Sequence, residues 1–299
     1  MVCLVPCIEA ADSSILGVVE EASVVGSSTG ELQTHLRLGF FLTDEGWRAA
    51  CKAKPNDNRN ETCDLHEPER LRKWYVWCNG KKIGQVSTSG WVNSAYYSKS
   101  GLLRITSTPI PRVGKRVEAF AGWDADKKYR PLVALVGMSP GKVAPWTYSN
   151  PSAKDVAAVW PAFRQIIPEI PMCEKGNLSG PSTPITQKHL EIFRVIRSDS
   201  GEKLLGVRVA RRFFKHCDGW GGFASDLWFF LAPDSQPRLI SRPPQLDGWS
   251  SSQDLIDIGD FDGDGKIEAL FWFSGYNEDG YVLYSEEFER STTFTWGYH

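Results

Sequence analysis

The stretch Asp254-Leu-Ile-Asp-Ile-Gly-Asp-Phe-Asp-Gly-Asp-Gly-Lys-Ile-Glu-Ala-Leu-Phe-Trp-Phe273 decides the fold class. Its two ends, Leu255 to Ile258 and Ala269 to Phe273, are short apolar runs of strand length. The middle is an Asp/Gly-rich turn. An EF-hand would need a helix on either side and a Glu at loop position 12, where this chain has Phe271. The unit therefore reads as strand, loop, strand.

The loop carries the sharpest chemistry in the chain. Counting from Asp260, carboxylates fall at positions 1, 3, 5 and 9: Asp260, Asp262, Asp264 and Glu268. Calcium is a hard cation that takes six to eight oxygens, and alternate acidic residues in a tight loop converge on one point. Gly265 permits the sharp turn, and the Lys266 carbonyl supplies a further oxygen. Without a cation, so many carboxylates in one turn repel one another. The expected cofactor is Ca2+, held by Asp260, Asp262, Asp264, Lys266 and Glu268; a metal-free acidic turn is the alternative.

These residues resemble the FG-GAP/VCBS type of repeat, the integrin-like calcium loop between β-propeller strands. The resemblance rests on Asp257-Ile-Gly-Asp260-Phe-Asp-Gly-Asp-Gly-Lys-Ile-Glu268-Ala-Leu and covers about residues 254 to 273. It implies calcium ligation by Asp260, Asp262, Asp264 and Glu268 within a β scaffold used for adhesion or binding. A full array would show several such loops, and this chain shows one intact loop. Asp124-Ala-Asp126 ahead of Pro131-Leu-Val-Ala-Leu135 is a weak echo, read equally as repeat descent or as a second acidic turn.

Outward from the loop, strand signals dominate. Tyr281 to Tyr284 and Thr292 to Trp296 follow it. Leu190 to Ile196, Leu204 to Arg211, Leu227 to Leu231 and Arg238 to Ser241 precede it. Further upstream lie Leu32 to Leu42, Leu102 to Thr106, Val117 to Gly122 and Arg130 to Val136. Asn79-Gly80 between two strand-like runs marks a hairpin, because a type I′ turn needs positive φ at both central residues. Lys52 to Arg72 is polar and reads as an exposed loop, and Glu174 to Thr186 reads as a linker. One helical insert is expected at about 152–167, with Ser152 as cap and Asp155 completing a capping box; Pro161 should kink or split it. The expected fold is all-β, of mostly antiparallel short strands, β-propeller-like in preference to a sandwich, in one domain over 13–299.

Composition agrees. Aromatics make up 12% of the 299 residues, with 12 Trp, which favours half-buried pleated surfaces. The net charge of −2 and a pI near 6.2 give no general pull toward nucleic acid. No run approaches the ~20 apolar residues of a transmembrane helix. Met1-Val-Cys-Leu-Val-Pro-Cys7-Ile8, followed by Glu9-Ala-Ala-Asp12, resembles the end of a secretory leader, so residues 1–12 are read as a leader remnant, with an ordinary strand as the alternative. Without it, Cys51, Cys63, Cys78, Cys173 and Cys217 remain. Cys51–Cys63 is the first expected disulfide and Cys173–Cys217 the second.

No catalytic constellation emerges. Gly137-Met-Ser139-Pro-Gly141 matches a nucleophile elbow, but Pro140 lacks the N–H that the oxyanion hole needs. Cys63 with His66 lacks the paired spacing of zinc sites. His216-Cys217-Asp218 are strand neighbours, which point to opposite faces. Glu286, Glu287 and Glu289 read as a solvated face, Arg211, Arg212 and Lys215 are too few for a nucleic-acid patch, and Trp220-Gly-Gly-Phe223 reads as a packed turn rather than a binding loop. The expectation is a non-enzymatic, calcium-stabilised scaffold or binding protein of the secreted or periplasmic space, with another protein or a glycan as partner. The rivals are a hydrolase with a site assembled from distant residues, and an inhibitor or immunity-type protein.

Overall fold

The computed structural model describes residues 14–23, 32–54, 57–63, 65, 71–93, 101–114, 128–137, 146–167, 173–174, 177–178, 185–210, 226–241, 252–275 and 278–297. The expected leader remnant, the strand Val117 to Gly122, the Asp124/Asp126 echo, Ser139, His66, and the segment from Arg211 to Phe223 with its Cys217 lie outside these residues.

The N-terminal strands are β1 (Ile15–Ser23), β2 (Leu32–Thr43), β3 (Gly46–Ala49), β4 (Cys51–Lys54) and β5 (Asp57–Cys63). Next come β6 (Arg72–Cys78), β7 (Lys81–Trp91), β8 (Leu102–Ile105), β9 (Leu132–Val136) and β10 (Thr147–Tyr148). After the helix α1 (Ala153–Ile166) follow β11 (Cys173–Glu174), β12 (Asn177–Leu178), β13 (Leu190–Arg197), β14 (Lys203–Val209), β15 (Leu227–Leu231) and β16 (Arg238–Ser241). The chain closes with β17 (Ser252–Gly259), β18 (Glu268–Gly275), β19 (Glu278–Ser285) and β20 (Arg290–Gly297).

The protein is mostly β, and its strand pairs are antiparallel. β1, β9, β6, β7, β8 and β2 run in that order and close through the β1–β2 pairing into a six-stranded barrel, which β3 extends. A ring of propeller blades is not shown among the described residues; the N-terminal strands form this barrel instead. Closure leaves those six strands without a free edge. Trp74 is fully buried in the barrel, and its indole N–H donates to Thr88 Oγ1 at 2.7 Å. That bond removes the cost of burying an indole donor.

Two open sheets follow. One has the order β17-β18-β19-β20, and the other β10-β13-β14-β15-β16. Their central strands, β14, β15 and β18, are largely apolar on both faces because both faces are covered. On β18, Leu270 and Trp272 join the core shared with the barrel, whereas Ala269 and Phe271 join the core shared with the β13–β16 sheet. On β14 and β15, Leu204 and Trp228 face that same core, while Leu205, Val207 and Phe229 face α1 through Val159, Phe163 and Ile166. The molecule is thus layered as barrel, four-stranded sheet, five-stranded sheet and helix.

The hairpin and the cap form as the sequence predicts. Asn79 and Gly80 have φ of 53° and 69° between β6 and β7. Ser152 caps α1, and Asp155 completes the box. The Cys51–Cys63 disulfide is present. Pro161 does not split α1, which runs through it as one element with Pro161 and Ala157 on its exposed side. One expectation is corrected. The polar segment after Cys51 is not a plain loop: β4 and β5 pair as a ribbon, with Cys51 directly opposite Cys63. A ribbon of polar residues has no apolar alternation to reveal it.

Candidate metal centre

The β17–β18 loop is anchored at both ends. Phe261 is 3% exposed and packs into the barrel-side core, and Ile267 packs against the opposite one. Ligand atoms of Asp260, Asp262 and Glu268 lie within 4.8 Å of one another. Asp260 and Glu268 are buried, Asp262 is half-buried and Asp264 is exposed. The structure therefore brings together three of the expected ligands and leaves Asp264 at the rim.

Loop backbone groups hold these carboxylates in place. Asp260 Oδ1 accepts from Gly263 N at 2.7 Å, and its Oδ2 accepts from Gly265 N at 3.0 Å. Glu268 Oε2 accepts from Phe261 N at 2.6 Å. Asp262 Oδ1 accepts from Asp264 N at 3.1 Å, and Asp264 Oδ1 from Lys266 N at 2.7 Å. Gly263 and Gly265 have φ of 81° and 87°, a region that side chains with a Cβ avoid. The Lys266 ammonium is drawn to the rim by an ion pair with Glu286.

The charges are unbalanced. Burial, then the Asp262 charge, pushes the Glu268 carboxyl up to about 9. Burial and the Asp264 and Asp260 charges raise Asp262 as well. Both shifts come from burial and from like charges held close together. A hard divalent cation fits this donor set, since three carboxylates converge and each keeps lone pairs to spare beyond the N–H bonds it accepts.

The sequence did not reveal what lies behind the loop. A bulge between Leu255 and Asp257 turns Asp257 toward the barrel, where its Oδ2 accepts from Asn79 N at 3.0 Å. Arg130 donates to the Ile256 carbonyl beside it. Burial pushes Asp257 up to about 6, against the opposing pull of the Ile258 N–H and Arg130. A carboxylate in an otherwise apolar strand was the available signal. Glu286 and Glu289, read as a solvated face, are solvent-accessible and pair at the surface with Lys266 and Arg238. Gly137 sits at the end of β9 with φ of 75°.

Compared with known proteins, the chain matches no family model, no curated protein and no solved structure.

Proposed function

We propose that the 260–268 loop binds calcium and that the protein is a calcium-stabilised β scaffold or binding protein of the secreted or periplasmic space. The observation that carries this is the convergence of Asp260, Asp262 and Glu268, two of them buried, on one point between two strands. Asp264 and the Lys266 carbonyl complete the oxygen set. The Cys51–Cys63 disulfide supports an oxidising compartment, where calcium is also abundant.

The FG-GAP/VCBS resemblance enters the same reading. β17 to β20 form a four-stranded antiparallel meander, and the β13–β16 meander is stacked on its face. Four-stranded sheets stacked in this way are the unit from which propeller blades are made. The proposed lineage is therefore blade-like in the C-terminal half, with the barrel as a separate elaboration.

Calcium adds RT ln(1 + [L]/Kd) to folding stability, about 1.4 kcal/mol at ten times Kd. Extracellular modules have Kd of roughly 10⁻⁴ to 10⁻³ M. Calorimetry should register calcium uptake by the wild type, and the melting temperature should rise by a few degrees between excess chelator and millimolar calcium. Asp262→Ala should abolish both effects. Identical wild-type melts, with no heat of calcium binding, would reduce the loop to an acidic turn.

A further inference from the structure

The outer wall of the barrel is shared unequally. At β1, β2 and β9 it meets the C-terminal sheet: Tyr281 donates to Glu20, Arg37 stacks 3.8 Å over Trp296, and β17 lies against β9. At β6, β7 and β8 it faces solvent. Lys73, Lys81, Lys82, Gln85, Trp91 and Arg104 are all exposed there. Register places Lys73 opposite Ser87 and Tyr75 opposite Gln85, so these four share one face.

This wall is charged with one sign. From Leu71 to Gly114 the sequence contains no Asp or Glu, although the whole chain is net −2. Among the described residues, Lys73, Lys81, Lys82 and Arg104 have no carboxylate partner. The net charge hides the segregation, because the acidic excess sits elsewhere in the chain. A single-sign surface of this kind attracts a polyanion.

The side chains between the charges narrow the class. Ser87 and Gln85 offer hydrogen-bonding groups suited to sugar hydroxyls. Trp91 offers an indole, 37% exposed, for the apolar face of a sugar ring. Single-stranded nucleic acid would want several open aromatic platforms for successive bases. The Tyr75 ring is already covered by the Lys82 ammonium at 3.7 Å. We infer that the solvent-facing β6–β7–β8 wall docks an anionic polysaccharide through Lys73, Lys82 and Arg104, with Trp91 stacking on a sugar ring. This docking is independent of the calcium loop.

The test uses the full disulfide-bonded chain in chelator, so that calcium cannot bridge protein and glycan. Binding is measured to surfaces bearing heparin, neutral dextran or an oligo-thymidine strand, at about 0.05 M and about 0.5 M salt. The expected result is heparin binding at low salt that is lost at high salt, with dextran not bound. The Lys73→Gln/Lys82→Gln/Arg104→Gln variant should bind heparin at least about tenfold more weakly. Trp91→Ala should weaken it about threefold. Melting curves verify the fold; should the triple variant melt early, the single variants Lys73→Gln and Arg104→Gln are read instead, and each should weaken binding. Absence of heparin binding at low salt, undiminished binding by these variants, or equal retention on dextran would each overturn the proposal. Tighter binding to oligo-thymidine than to heparin would also overturn it, in favour of a polynucleotide.

Discussion

His35 shows how a single side chain can carry a pH dependence. It is 5% exposed on β2, opposite Glu20 on β1, and neither ring nitrogen has a hydrogen-bond partner. Burial lowers its pKa to about 4, with the Glu20 charge pulling the other way. The folded state therefore binds its proton less readily than the unfolded chain does. Stability from this group is complete above the unfolded pKa of about 6.5 and drains away as pH falls toward 4. Between pH 6.5 and 5 the loss should be about 2 kcal/mol. His35→Phe removes both the titration and the two unsatisfied nitrogens. Its melting temperature should fall less than that of the wild type over this interval, read by scanning calorimetry at the two pH values. An identical fall in both proteins would remove His35 from the account.

At the scale of an element, α1 is the piece whose local code and tertiary anchor coincide. Asp155 accepts from Ser152 N at 2.9 Å, and Ser152 Oγ accepts in return from Asp155 N at 3.3 Å. The same Asp155 carboxylate, fully buried, pairs with Lys203 Nζ at 2.6 Å and Arg197 at 3.5 Å on the sheet beneath. Burial alone would raise its pKa, but the hydrogen bonds from Lys203 and Ser152 outweigh burial and hold it below the ordinary value. Ser152→Ala loses the cap bond from Asp155 N and the hydroxyl's bond to Asp155 Oδ2, and should cost about 1 kcal/mol in urea unfolding. Asp155→Ala loses the box and strands the half-exposed Lys203 and Arg197, so it should cost about 2 to 3 kcal/mol. Equal costs would mean that the cap matters and the ion pair does not.

At the scale of the whole molecule, stability rests on the seams between layers. Phe271 is fully buried between the two open sheets, with its ring 5.2 Å from Trp228 and 5.5 Å from Tyr284. The layers on either side are held by their own hydrogen bonds and cannot collapse freely into a void. Phe271→Ala should therefore cost about 3 to 5 kcal/mol in chemical denaturation. A loss under about 1 kcal/mol would mean that the sheets close over the gap and that the seam is plastic. Polar contacts stitch the same seams: Arg194 reaches Asp254 at 3.2 Å across the two sheets, and Asp257 receives the tip of the β6–β7 hairpin.

Short-range patterns were legible because their physics is short-range. Asn79-Gly80 meets the dihedral demand of a tight hairpin, and Ser152 with Asp155 meets that of a helix start. The spacing of Asp260, Asp262 and Glu268 is a property of one loop, so their convergence was readable as well. The unbroken apolar run Leu227 to Leu231 signalled a strand, but apolar side chains carry no label for what covers them. Barrel closure was hidden for that reason: it depends on β1 pairing with both β2 and β9, a strand more than a hundred residues away. Burial of His35 and Asp257 and the shift of Glu268 were hidden too, since a pKa is set by neighbours that only the folded chain assembles. Local chemistry was written in the sequence by itself; the layering, and the environment each charge meets, were decided by tertiary packing, because non-directional apolar burial and long-range strand pairing choose among many partners that look alike along the chain.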